Sequence, residues 1–326
     1  MQEINLRKRI RRRLASLAFG PQEFGQFCNL GLKDPQSDIK VWLVGTNGTR
    51  DVTTRNVVTA TRPLSIGIGL EDDEDFRKLS SNHVFLEFRS AHPPETLLGK
   101  VGLAFADSIP LEEGGALCLF STHRPANFCQ ARTLVWKRYL NFSYAQWKNE
   151  RGPNPPKVRM VATELHSLFV FYICPRPVVL VSVVDGEAGN IFPMDLVGPI
   201  GQGQFSIALH ATSKGLPLIE RSGRIALSSV PISKMSLAYQ MGQNHNKASV
   251  CWSSVPFPLI ASPSFYLPIP EFALRVRELQ LVKVRPMGSH VLIICRVMAD
   301  NAFVDGLQFF QAHGFYDEWR RQAILH

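Results

Sequence analysis

The chain has 326 residues, 45% hydrophobic and 19% charged, with a formal net charge of +9. That length exceeds one ordinary core and leaves two readings, two units or one large barrel-based domain, while the composition excludes wholesale disorder. The charge suits anionic partners (nucleotides, phosphates, acidic proteins, nucleic acid) without choosing among them.

In chain order, a basic cluster of Arg7, Lys8, Arg9, Arg11, Arg12 and Arg13 comes first, on a helical pattern with Ile10, Leu14 and Leu17 on one face. A solvated basic helix is the plain reading, and contact with nucleic acid or an anionic membrane is the alternative. The apolar piece Leu14–Phe19 ends at Gly20–Pro21, too short for a signal-peptide core, so no secretory leader is expected. Val41–Val44, a turn at Asn47–Gly48 and a return over Arg50–Asn56 read as a β-hairpin. Prolines and glycine packed into Arg151–Pro156 suit neither helix nor central strand, and place a boundary between a unit at 1–150 and one at 157–326. The apolar run Ser167–Cys174 stops at Pro175, far short of a bilayer span, so a soluble protein without a membrane partner is expected.

The second half is better marked. Val178–Val184 is a valine-rich run suited to a strand buried on both faces. Asp185–Gly186 is a hairpin turn, with the return strand starting near Asn190. Leu216–Glu220 reads as a short helix, with Pro217 in its first turn and Gly223 past its end. Phe272–Val276 alternates as a strand, Gly288 turns the chain into His290–Val297, and Phe315–Arg321 closes as a helix. Many short strands and few helices point to a β-barrel rather than a Rossmann sheet. The halves also overlay, at 138 residues for Asn47–Gly48 on Asp185–Gly186 and at 141 for Leu64–Ile68 on Phe205–Leu209. A tandem repeat is one explanation, and chance similarity of β patterns is the other.

The six cysteines, Cys28, Cys118, Cys129, Cys174, Cys251 and Cys295, form no C-x-x-C pair and match no zinc spacing. They read as structural thiols of a reduced, cytoplasmic protein, and no metal site is expected. The chain has no G-x-S-x-G, H-E-x-x-H or Walker A motif. The aromatics show no RRM-like pattern, which argues against a nucleic-acid module.

Several stretches resemble the flavin-reductase-like, FMN-binding split-barrel family. They are Pro175–Ser182, Asp185–Gly186 followed by Asn190, Leu218–Ile219 through Ser222–Leu227, Gly288–Ile293 and, more loosely, His313–Tyr316. The resemblance covers about residues 167–320 and implies a six-stranded Greek-key barrel binding FMN in a groove, usually at a dimer interface. Electron transfer would run from NAD(P)H through the flavin to a second acceptor. By position, Asn190, Phe192, Met194 and Asp195 would run past the flavin ring. His210, Thr212, Ser213 and Lys214 would approach its phosphate, and His290 belongs to the family's Gly-Asp/Ser-His strand. The sequence departs from the family where Met194 and Asp195 replace hydroxyl residues, and where Lys-Asp-Thr becomes Lys214–Gly215–Leu216. The first half keeps hydroxyls at Thr53 and Thr54, followed by Arg55 and Asn56, although an ordinary strand explains these equally. Two barrels packed as a pseudo-dimer would hold FMN where the halves meet. The chain would then be a pseudo-dimeric monomer or a homodimer. The expected function is an FMN-binding oxidoreductase of flavin-reductase type, with no catalytic residue assigned. The alternatives are a non-catalytic or specialised flavin binder and a structural barrel without cofactor.

Overall fold

Two large antiparallel sheets with one and the same strand order dominate the molecule. The computed structural model describes residues 27–34, 37–46, 48–71, 84–92, 95–140 and 161–324. The basic cluster Arg7–Arg13, the turn residue Asn47, and the boundary Arg151–Pro156 lie outside the described residues.

The first sheet contains β2 (Ile39–Gly45), β3 (Gly48–Asp51), β4 (Asn56–Thr61), β5 (Leu64–Leu70), β6 (Val84–Ser90), β7 (Leu97–Pro110) and β8 (Ala116–Asn127). The second contains β10 (Val179–Asp185), β11 (Ala188–Met194), β12 (Val197–Gly201), β13 (Gln204–His210), β14 (Arg224–Ser229), β17 (Arg275–Met287) and β18 (His290–Ala302). Their orders are β3-β2-β6-β7-β8-β5-β4 and β11-β10-β14-β17-β18-β13-β12. Taken strand by strand along the chain, these are one Greek-key connectivity written twice. The fold is mainly β. The second sheet has seven strands because the chain breaks at Asp195–Leu196, dividing one run into β11 and β12.

Registers agree as well as order. Gly45 pairs with Gly48, and Asp185 with Ala188. Thr61 pairs with Leu64, and Gly201 with Gln204. Both pairs of positions lie 140 residues apart, and each of the two hairpins β4–β5 and β12–β13 carries an irregularity just before that closing pair. The overlays at 138 and 141 residues are therefore displaced by one or two positions. Period-2 patterns tolerate such slips, and only turns and bulges fix the register.

Local chemistry explains the elements that position the site. The β-branched run of β10 is buried on both faces, and Gly186 takes φ 59° in the turn that follows. Pro217 sits in the first turn of a helix spanning Leu216–Ser222, which ends at Gly223 in the left-handed conformation (φ 63°). Phe272–Leu274 differ from the expected strand: it begins only at Arg275, because the Leu274 N–H is already spent on the Ser229 carbonyl. The expected strand His290–Val297 continues to Ala302.

The halves exchange segments. Strand β1 (Phe27–Leu32) leaves the first sheet and pairs with β19 (Gln308–His313), which also pairs with β9 (Arg176–Pro177). A small hairpin, β15 (Leu259–Ala261) with β16 (Pro268–Pro270), precedes β17. In return, α1 (Ala162–Phe171) and the C-terminal helix Gly314–Ile324 supply Phe169, Val170, Phe315 and Tyr316 to the core of the first sheet. A separate apolar layer joins the two sheets, with Val57, Leu117 and Leu119 packed against Ile200, Leu292 and Ile294. At Gly69 the approach is so close that a Cβ would lie 1.6 Å from the Ile200 carbonyl oxygen.

Candidate functional site

A groove of about 470 Å³ opens where the halves meet, a volume typical of small-molecule clefts. The first half contributes Lys33, Asp34, Thr53, Thr54 and Asn56. Thr53–Arg55 form a turn rather than a strand, with the Thr53 Oγ1 accepting from the Val41 N–H at 2.9 Å and donating to Asp51 at 2.5 Å. Thr54 is exposed. The second half contributes apolar wall from Val179, Val197, Phe205 and Phe310, and cations from Arg176, Arg275 and Arg277.

Arg176 is built in, Arg277 is half-buried, and Arg275 is exposed. Arg176 is buried and donates to the Asn56 carbonyl at 3.0 Å, to the Asn56 Oδ1 at 2.6 Å and to the Phe171 carbonyl at 3.4 Å. Its guanidinium carbon lies 3.8 Å from the centroid of the Phe171 ring. Burial pulls its pKa below the ordinary arginine value, and its Nε has no hydrogen-bond partner. Arg275 and Arg277 both pair with Asp300, at 2.5 and 2.9 Å. Burial raises the Asp300 pKa, but the hydrogen bonds and charges of the two arginines outweigh it and hold the carboxyl below its usual range. Two cations sharing one carboxylate leave a surplus positive charge on the wall.

Of the first-half candidates, Arg55 turns away to pair with Glu71 at 2.5 Å. Thr53, Thr54 and Asn56 stay together in the groove.

The second-half candidates lie elsewhere, and most are buried. The Asn190 Nδ2 donates to the carbonyls of Asn244 and Lys247, tying β11 to the segment that follows the helix Met235–Met241. Phe192 is fully buried, 4.7 Å between centroids from the His245 ring. A Cβ on Gly215 would lie 2.7 Å from the Phe192 ring, so the phenyl occupies space that any larger residue at 215 would need. The departure at Gly215 is thus tied to the packing of Phe192. Met194 is buried in the second core. Asp195 accepts from the Tyr172 hydroxyl at 2.6 Å. Burial raises the pKa of this carboxyl, although the tyrosine bond opposes it. Burial and the neighbouring carboxylate lift the Tyr172 phenol well above its ordinary value.

In the loop after β13, His210, Thr212 and Lys214 are exposed and Ser213 is buried with an unpartnered Oγ. His210 and His290 face each other across β13 and β18, with ring centroids 5.3 Å apart. The His290 Nδ1 lies 2.8 Å from the Ser289 Oγ. Burial, with the charges of His210 and Arg62, brings the His290 pKa down to about 4.

Sequence reasoning passed over Arg176, Arg275, Arg277, Tyr172 and His245. Arg176 had a signal, a lone cation between two prolines, and so had Arg275 and Arg277, two cations on one face of a strand. Tyr172 and His245 had none, since their partners come from distant chain segments.

Residues 171–307 match the family described as flavin reductase like domain. No curated protein matches the chain. Among solved structures, the chain is similar to an FMN-binding protein from Thermus thermophilus with bound p-hydroxybenzaldehyde. That likeness has 21% identity, covers 47% of this chain and 79% of the other, and has a TM-score of 0.37. It is also similar to the NADH:FAD oxidoreductase SgcE6 of Streptomyces globisporus C-1027, with 13% identity, 49% and 95% coverage, and a TM-score of 0.42. Flavin reductase PheA2 in its native state gives 13% identity, 45% and 92% coverage, and a TM-score of 0.38. Over residues 171–307 the chain is thus similar to the flavin reductase like domain.

Proposed function

We propose that the protein is an oxidoreductase of flavin-reductase type, in which bound FMN supplies the acceptor for a hydride from NAD(P)H. The observation that carries this reading is the groove between the halves. The matched domain brings apolar wall and surplus cation, and the other half brings the hydroxyl residues Thr53 and Thr54. The residues suit the group: Phe205 and Val197 offer an apolar face, Thr53 and Thr54 offer hydroxyls, and Arg275 and Arg277 offer cations for a phosphate. The partnerless Nε of buried Arg176 is a further unmet polar atom on the wall.

We read the units 1–150 and 157–326 as a tandem pair packed like a dimer, supported by the shared strand order and the matching registers. Six free cysteines suit a reducing compartment such as the cytoplasm.

The purified protein is expected to be yellow, to release FMN identifiable by mass, and to consume NAD(P)H when FMN is added. A colourless protein that fails to bind added FMN would sink the reading. A second reading, a specialised flavin binder without turnover, draws on the burial of Met194 and the engagement of half-buried Asp195 by Tyr172, at positions the family gives to flavin contact. Flavin retention without NAD(P)H consumption would select it.

A further inference from the structure

We infer that each chain holds one flavin nucleotide and not two, because α1 fills the second of two equivalent grooves. The inference rests on reading the open groove as a flavin site.

Equivalence follows from strand pairing. Val41 pairs with Phe88, which pairs with Gly99. At the corresponding place in the other sheet, Val181 pairs with Leu227, which pairs with Arg277. Gly99 therefore stands where the open groove has Arg277. By the 140-residue correspondence, Pro193 and Met194 stand for Thr53 and Thr54, and Ser65 for Phe205. At these four positions the groups suited to an anionic aromatic ligand are exchanged. A cation becomes a glycine, two hydroxyl residues become apolar ones, and an aromatic wall becomes a serine.

The space this frees is occupied by the chain itself. A Cβ on Gly99 would lie 2.5 Å from the Ile173 Cδ1 and 2.7 Å from the Val170 Cγ1. The helix is fastened at both ends: the Glu164 Oε1 accepts from the Leu64 N–H at 3.1 Å, and Tyr172 donates to Asp195. The half-buried Asp195 is thus part of the fastening, which accounts for a carboxylate where the family keeps a hydroxyl. The open groove keeps its Arg277 and Arg275 poised by Asp300.

The test is a titration of flavin-stripped protein with FMN, followed by calorimetry, with riboflavin as the comparison ligand. One equivalent per chain is expected, with FMN bound at least about tenfold more tightly than riboflavin, since only FMN offers a phosphate to the arginine pair. Two equivalents would overturn the inference and leave the flavin reading intact, whereas no binding would overturn both. Arg277→Ala should weaken FMN binding about tenfold. Arg296→Ala removes the same charge from a residue paired with Glu112 and should leave affinity unchanged. Equal losses in both variants, or a loss with Lys214→Ala that matches or exceeds that of Arg277→Ala, would overturn the placement. Circular dichroism of each variant checks that it folds.

Discussion

His290 and His313 are held uncharged by burial, with pKa values lowered to about 4 and about 3. Their unfolded value lies near 6.5. A depressed folded pKa contributes stability that is complete above the unfolded value and is lost as pH falls through the folded one. The unfolding free energy from urea titration should therefore drop between pH 7 and pH 4.5, by up to about 2 kcal/mol for each histidine, and the urea midpoint with it. An unchanged midpoint would show that both rings titrate normally. The His313 Nδ1 accepts from the Phe315 N–H at 3.2 Å, and the Phe169 ring lies 4.3 Å away, so protonation would remove an acceptor inside an aromatic cluster. Neither environment was legible in the sequence, where both histidines stood only as members of short motifs. Arg176 shows the same limit: its partner Asn56 lies 120 residues away, a distance across which no local pattern reports.

Turns, caps and the valine-rich strand were legible among the elements, because each depends on neighbours in the chain. Asp185–Gly186 and the helix Leu216–Ser222 with its glycine stop are such cases. Packing partners were not, and two glycines separate the kinds of information. Gly186 turns with φ 59° and nothing within 4 Å of its absent side chain, so Gly186→Ala should cost about 1 kcal/mol from backbone strain alone. Gly69 has no unusual φ but meets the Ile200 backbone of the other half. Gly69→Ala should cost more than about 3 kcal/mol, because neither backbone can yield without parting the sheets. Thermal unfolding of the two variants side by side checks the order. A Gly69→Ala protein as stable as Gly186→Ala would show that the halves do not meet there.

At the scale of the whole molecule, the matched domain leaves outside its bounds two segments that the structure puts to use. Residues 308–316 carry β19 and the start of the last helix, and α1 up to its final residue, Phe171, precedes the match. A fragment of residues 171–307 lacks the partner of β9 and the wall of the joining layer formed by Val57, Leu117 and Leu119. It should be insoluble or aggregate, whereas the full chain should unfold in one cooperative transition by calorimetry. Two separate transitions would mean that the shared layer is too weak to couple the halves. The exchange of segments also bears on synthesis. Phe310, Ala312, Phe315 and Tyr316 complete the core that Ile39, Val41 and Phe88 begin. The stretch that carries Ile39, Val41 and Phe88 therefore waits for residues 310–316, and its core can close only after these have left the ribosome.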